Sequence, residues 1–177
     1  MALPRILLPS TSGENVRLDR VATGLTVFYF YPMTAQPGVP LPDEWDSIPG
    51  ARGCTPQSCS FRDQHETFRS LGVVVYGLSS QPTEWQREAV ERLHLPFHLV
   101  SDVKCEMADA LDMPTFTVAN LRLYRRLTVV AQRGVIVKTF YPVFPPDSHT
   151  NVVIDWLHRH EARTRDQKAI TEGALGG

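Results

Sequence analysis

Cys54 and Cys59 stand in the run Gly53-Cys54-Thr55-Pro56-Gln57-Ser58-Cys59-Ser60-Phe61-Arg62-Asp63. This run follows a strongly apolar stretch, Leu25 to Tyr31, and a Pro-rich loop, and it opens a segment with helical spacing. A cysteine at a helix N-terminus meets unpaired backbone N–H groups and the positive end of the helix dipole, and both favour the thiolate. A second cysteine nearby can trap an oxidised first one, provided the backbone gives way. In a regular helix, residues five apart are separated by ~7.5 Å of rise and ~140° of rotation, so their Cα atoms lie roughly 8–9 Å apart. A disulfide tolerates at most about 7 Å. The two sulfurs therefore join only when the first turn unwinds. That points to a redox pair cycling between two conformations rather than to a permanent bridge.

Other cysteine chemistries fit less well. No Cys-x-x-Cys pair is present, which argues against general disulfide exchange. Cys54 and Cys59 lack zinc-ligand spacing, and no Cys/His pair elsewhere completes a tetrahedral set, so no metal is expected. His158 and His160 read as solvated residues near the end of the last helix.

The elements that must position this pair fit one domain. The chain has 177 residues, 42% of them hydrophobic, a net charge of −1 and three cysteines. The charge argues against a nucleic-acid or anionic-membrane partner. The longest apolar runs are strand-sized, short of the ~20 residues of a membrane span. The N-terminus lacks the pattern of a secretory signal. Three cysteines do not make a disulfide scaffold. A cytoplasmic protein with reduced thiols is expected.

Along the chain, residues 4–18 read as a β-hairpin around Ser12-Gly13, and Leu25–Tyr31 as a buried strand. Residues 32–53 hold five Pro and no periodicity: a long loop, of the kind that tends to carry function. One helix is predicted from Pro56 to Gly72, with Cys54 in phase with the apolar face of Phe61, His65 and Phe68. Val73–Leu78 reads as a strand, Pro82–His94 as a helix, Phe97–Ser101 as a strand and 103–111 as a short helix. Leu121–Ala131 and Val135–Tyr141 read as strands paired across Gln132-Arg133-Gly134. A last helix starts at Pro145-Pro146-Asp147, with Asp147 as N-cap and Val153, Trp156 and Leu157 buried. Trp85 is also read as core. The domain is placed at 1–161, and residues 162–177 are read as a flexible C-terminal tail. The order implies an α/β protein with a central mixed sheet flanked by helices. Cys54 would then lie beyond the carboxyl end of a central strand, where open α/β sheets place their sites.

The segments VFYFYP, 27–32, and PGARGCTPQSCSFRD, 49–63, resemble the active-site run of the peroxiredoxins. The likeness is to the atypical two-cysteine Q-type, or bacterioferritin-comigratory, branch. FHLVSD at 97–102, YRRLTVVAQRGVIVKTFYPVFPP at 124–146 and HTNVVIDWL at 149–157 resemble later segments of that family in the same order. The resemblance covers roughly residues 4–160. It implies a thioredoxin-like fold and the reduction of hydrogen peroxide and organic hydroperoxides, with no metal or flavin cofactor. It also implies a thioredoxin- or glutaredoxin-like reductant and a monomer or homodimer. By the same resemblance Cys54 is the peroxidatic cysteine, Cys59 the resolving one and Arg126 the active-site arginine, with Arg125 as the fallback. Gly53 and Thr55, on either side of Cys54, belong to the expected substrate-binding set.

The chain departs from that family in one place. The family's Thr three residues before the peroxidatic cysteine is Ala51 here, followed by Arg52 rather than Pro, and the loop from Pro32 is longer than usual. Thr34 or Ser47 could supply the substitute hydroxyl, or Arg52 could change the electrostatics instead. Thr34, just after the strand end, is the one expected, and it completes the substrate-binding set. The insertion 33–53 also brings Asp43, Glu44, Trp45 and Asp46, either as a lid or subunit contact or as a solvated excursion. Cys105 reads as a silent small apolar residue or as a second partner for an oxidised cysteine, and Arg62–Asp63 as a surface ion pair. Two other functions stay open: a peroxide-sensing protein with little turnover, and a thiol-disulfide reductase.

Overall fold

The computed structural model describes residues 1–174, with 165–174 as backbone alone. Its central sheet has five strands in the order β5-β4-β3-β8-β9. These are β3 (Leu25–Phe30), β4 (Val74–Ser79), β5 (Leu99–Ser101), β8 (Leu127–Gln132) and β9 (Val135–Phe140). β3, β4 and β5 run parallel, whereas β8 is antiparallel to β3 and β9 to β8. The sheet is mixed, as expected, and β3 is its middle strand.

β3 reads as a continuous apolar run because both of its faces are covered. Side chains alternate across a strand. Val27, Tyr29 and the adjoining Tyr31 therefore enter one core, with Phe61, Phe68, Ala89, Leu93, Val153 and Leu157 from the helices on that side. Phe28 and Phe30 enter the other, with Leu8, Leu18, Met107 and Tyr124. The first core is roofed by α2 (Cys54–Asp63), α3 (His65–Ser70), α4 (Thr83–Leu93) and α6 (His149–Ala174). The second is covered by α1 (Leu18–Val21), α5 (Glu106–Leu111) and the N-terminal segment, whose hairpin of β1 (Leu7–Pro9) and β2 (Asn15–Arg17) turns where expected. No helix of the described residues is long and apolar enough to cross a membrane.

Four elements differ from the sequence expectation. The single helix predicted to Gly72 is two, broken at Gln64 (φ −97°, ψ 7°). The strand expected over Leu121–Ala131 is also two, β7 (Leu121–Tyr124) and β8, because the chain bends at Arg125–Arg126 to leave one hairpin and enter the sheet. β7 pairs with β6 (Thr115–Val118), a strand the sequence reading left out. Their two-residue turn places Ala119 and Asn120 at φ 47° and 61°, the left-handed pair that matches strand twist. Helix α6 starts at His149, two residues after the expected Asp147 cap, and runs through residues 162–174, where a tail was expected. Most of that segment is made of good helix formers, so nothing in it stops the helix at 161. Residues 175–177 lie outside the described residues. Trp156 is half-buried and packs against the margin of the first core, and Trp85 is half-buried as well, rather than within a core.

The long loop over residues 33–53 packs. Trp45 is 4% exposed and Ala51 fully buried, and with Val118 and Leu123 they form a third, small core flanked by Met33, Leu41, Ile48 and Phe116. The loop over residues 33–53 is thus fastened to the β6–β7 hairpin.

Candidate active site

Sheet register brings the site together. Phe30, the last residue of β3, pairs with Leu127, the first of β8. Arg126, one residue before Leu127, therefore sits at the same end of the sheet as the chain leaving β3, and that chain returns as α2 with Cys54 as its first residue.

Gly53 caps α2 at φ 102°, a left-handed conformation open to glycine. A side chain there would also meet Pro146, because an added Cβ would lie 2.4 Å from its Cγ. Pro56 stands in the first turn, where its missing N–H costs no intrahelical bond. No side chain caps this end of the helix, so its first N–H groups face the sulfur's end of the site.

Arg126 is 4% exposed and organises the site. Its Nη2 donates to Cys54 Sγ at 3.2 Å and to the carbonyl oxygens of Arg52 at 3.0 Å and Gly50 at 3.2 Å. Its Nη1 donates to Gln57 Oε1. Cys54 is 3% exposed and its thiol donates to the Ala51 carbonyl at 3.6 Å. A guanidinium in hydrogen-bond contact with a sulfur in a dry setting stabilises negative charge on it more than the same contact would in water. Arg125 points elsewhere, with its guanidinium 5.5 Å from the centre of the Phe116 ring.

Two openings flank the segment Gly50–Arg52. One, of about 240 Å³, is lined by Met33, Leu41, Trp45, Ala51 and Pro56 and reaches Cys54, with Gly53 and Thr55 on its wall. The other, of about 250 Å³, reaches Arg126 between Asp46, Ser47 and Phe144.

Thr34 does not join them. It is buried, and its hydroxyl donates to Gln81 Oε1 at 3.1 Å, while Gln81 Nε2 donates back to the Thr34 carbonyl at 3.1 Å. Its neighbours Met33 and Ala35 line the Cys54 opening, but Thr34 is not on that wall. The place expected for a hydroxyl, Ala51, holds a methyl in the third core.

Cys59 is half-buried against the first core, and all three cysteines are free thiols. The helix between Cys54 and Cys59 is intact and tied at three further points. Tyr29 Oη donates to Ser58 Oγ at 3.1 Å, Ser60 Oγ and Thr150 Oγ1 lie 2.5 Å apart, and Arg62 donates to the Leu93 carbonyl at 2.9 Å. Arg62 also pairs with Asp63 at 2.8 Å, so it is more than a surface ion pair. Cys105 is buried at the start of α5, 3.5 Å from the Arg122 carbonyl, and burial pushes its thiol pKa up.

Sequence reasoning missed Gln57 and gave His149 no role. Gln57 is fully buried three residues after Cys54, so both face the same side of α2, and that spacing was the available signal. His149 Nε2 lies 3.0 Å from Thr128 Oγ1 and its ring meets Phe140 edge-on. Burial, and then the nearby charge of Arg126, pull its pKa down to about 4.

Comparison with known proteins agrees with this architecture. Peroxiredoxin Bcp of Bacillus subtilis is 28% identical over 144 residues, covering 79% of this chain and 82% of that protein. Peroxiredoxin Q, chloroplastic, of Suaeda salsa is 27% identical over 154 residues, covering 87% of this chain and 64% of that protein. The chain thus spans a little under two thirds of that plant relative. Among solved structures, peroxidoxin BcpB of Mycobacterium tuberculosis superposes with a TM-score of 0.72 at 22% identity, covering 90% of this chain and 95% of that one. The bacterioferritin comigratory protein of Xanthomonas campestris superposes at 0.69 with 21% identity, covering 88% and 91%. These structures share the thioredoxin-like peroxiredoxin fold seen here. The family model described as Redoxin matches residues 1–154, nearly the whole chain, and the protein belongs to the redoxin family.

Proposed function

We propose that this protein is a thiol-dependent peroxidase acting through Cys54. The observation that carries the reading is the 3.2 Å contact of Arg126 Nη2 with Cys54 Sγ at the first residue of a helix, beside an opening that reaches the sulfur. The Cys54 thiolate attacks the outer oxygen of a hydroperoxide, ROOH. The S–O bond forms as the O–O bond breaks, and ROH leaves after its oxygen takes a proton. Cys54 is left as a sulfenic acid. Negative charge moves from sulfur to the departing oxygen, and the Arg126 guanidinium and the first N–H groups of α2 are placed to stabilise it at both ends.

The sulfenic acid then condenses with the Cys59 thiol, giving a disulfide and releasing water. This step requires the first turns of α2 to unwind. A dithiol reductant of thioredoxin or glutaredoxin type restores both thiols by exchange. The substrates are hydrogen peroxide and organic hydroperoxides, and the solved Xanthomonas campestris relative is described by its alkyl peroxide reduction activity. Thiol-disulfide reduction fits less well, because Cys54 is 3% exposed while α2 is intact, and a protein disulfide would reach it only after that helix unwinds.

A sensing role is favoured by one observation, the buried methyl of Ala51 where the resembling enzymes carry a hydroxyl. Peroxide consumption separates the two. Wild type, Cys54→Ser and Cys59→Ser are assayed with dithiothreitol and with a thioredoxin system. The peroxidase reading expects no activity in Cys54→Ser, and failure of Cys59→Ser only with thioredoxin. A single oxidation with no turnover by any donor would overturn it in favour of the sensor.

A further inference from the structure

We propose that the inserted loop makes the Cys54 opening selective for organic hydroperoxides whose apolar tail has several methylene groups, with Leu41 and Trp45 as specificity-determining residues. The inference rests on the peroxidase reading above and concerns which peroxide the same sulfur prefers.

The wall is mostly apolar, with Arg52 and Thr55 as its polar side chains, and it is preformed. Met33, Leu41, Trp45, Ala51 and Pro56 surround a space of about 240 Å³ that ends at Cys54. One water occupies about 30 Å³ in the liquid, so several methylene groups fit. Trp45 is 4% exposed, and its ring lies 6.3 Å from that of Phe116, with Val118 and Leu123 in the same cluster. The indole is therefore fixed before any ligand arrives, and little ordering cost falls on binding.

The rim does not select for charge. Arg52 Nε donates to Asp46 Oδ1 at 2.6 Å, so the guanidinium at the mouth is already compensated. Asp46, Ser47 and Arg126 line the second opening, on the far side of Gly50–Arg52, and leave Arg52 and Thr55 as the polar side chains on the wall of the first. A tail lying along Trp45 and Leu41 brings its terminal hydroperoxide to Cys54 Sγ. Hydrogen peroxide offers two hydroxyls and no carbon, so it draws nothing from that wall. Ala51, whose side chain is packed into the third core, supplies no hydroxyl to hold its outer end.

Burying one methylene changes an equilibrium by roughly fourfold. The rate constant for Cys54 oxidation should therefore rise about fourfold per methylene along the straight-chain 1-hydroperoxides, from ethyl upward, until the cavity is full. The reference substrate is hydrogen peroxide, and rates are read by stopped flow on the full chain. Leu41→Gln and Met33→Gln change half-buried wall residues and should flatten this gradient. Trp45→Ala should flatten it further, but it also loosens the loop, so the first two variants decide. A flat chain-length profile in a wild type that turns over peroxide overturns this inference alone. So does a gradient left intact by both glutamine variants. Failure to consume any peroxide removes the peroxidase reading and this inference with it.

Discussion

Nη2 of Arg126 lies 3.2 Å from Sγ of Cys54 and 3.0 Å from the carbonyl oxygen of Arg52. One guanidinium nitrogen thus holds both the sulfur and the backbone that leads into it, across 72 residues of sequence. The other nitrogen engages Gln57, on the turn of α2 that follows. The planar fork can serve these partners together, whereas a lysine ammonium is a single point charge.

Arg126→Lys therefore keeps a charge and loses the geometry. Removing one preorganised donor to a developing negative charge costs about 10²–10³ in rate. Cys54 oxidation by hydrogen peroxide should slow by about that factor in stopped-flow measurements. A rate equal to wild type would mean that the sulfur reacts without help from the guanidinium.

Gly53 carries two independent demands, a φ of 102° and the 2.4 Å approach of an added Cβ to Pro146. Gly53→Ala should cost at least about 2 kcal/mol from left-handed strain and the clash together. Pro146→Ala in the same chain should recover the steric share and leave the strain. Urea midpoints of the two single variants and the double variant give that split. Full recovery in the double variant would show that the conformation itself carries no cost.

Much of this arrangement was legible in the chain. Leu25–Phe30 is apolar but for Thr26 because both faces are covered, and a helix from Pro56 follows from the spacing of Phe61, His65 and Phe68, two residues short of its start at Cys54. The bend at Arg125–Arg126 was not legible, since Leu121–Ala131 reads as an unbroken strand with no Gly or Pro to mark the turn. The β6–β7 hairpin turns on Ala119-Asn120, a weaker signal than Asn-Gly. The acceptors around Arg126 include backbone carbonyls of Gly50 and Arg52, which no side-chain pattern reveals. Thr34 failed as the substitute hydroxyl for a related reason. Nearness in sequence to a strand end does not fix which way a side chain in a long loop points, and Gln81 had already claimed it.

Trp45 tests whether the insertion is a separate unit of stability. Trp→Ala in a core typically costs about 3–5 kcal/mol. Here the indole sits in a small satellite cluster, so the loss should fall mainly on local opening of the loop. In Trp45→Ala, limited proteolysis should cut within 33–53 much faster, while the global urea midpoint moves less than a main-core Phe61→Ala. Equal shifts in global stability for the two variants would place the insertion inside the cooperative fold.

Oxidation should be visible in the backbone. A Cys54–Cys59 disulfide needs Cα atoms within about 7 Å, against roughly 8–9 Å in a helix. The bonds of Ser58 to Tyr29 and of Gln57 to Arg126 hold that stretch in place. Stoichiometric peroxide should give a two-hydrogen mass loss and a fall in far-ultraviolet helicity, reversed by dithiothreitol. Cys59→Ser should form the sulfenic acid with helicity unchanged. Loss of helicity in that variant would mean that sulfenic acid formation alone unwinds α2.

His149 gives the stability curve a defined acid limb. Its pKa falls from 6.5 to about 4 on folding, because burial, and then the charge of Arg126, oppose protonation. Above pH 6.5 the ring is neutral in both states, and the folded form has its full stability. Between 6.5 and about 4 the unfolded chain takes up a proton that the folded chain refuses, so stability falls as the pH falls. Below about 4 both states are protonated and the loss is complete, at most about 3 kcal/mol. The glutamine of His149→Gln can still bond Thr128 and cannot titrate. Subtracting its urea-derived stability from that of wild type at each pH cancels the carboxylates and the other histidines. The difference should decline on acidification through this window, with a slope of up to about 1.4 kcal/mol per pH unit. A flat difference would mean that the folded protein accommodates a charged His149 beside Arg126.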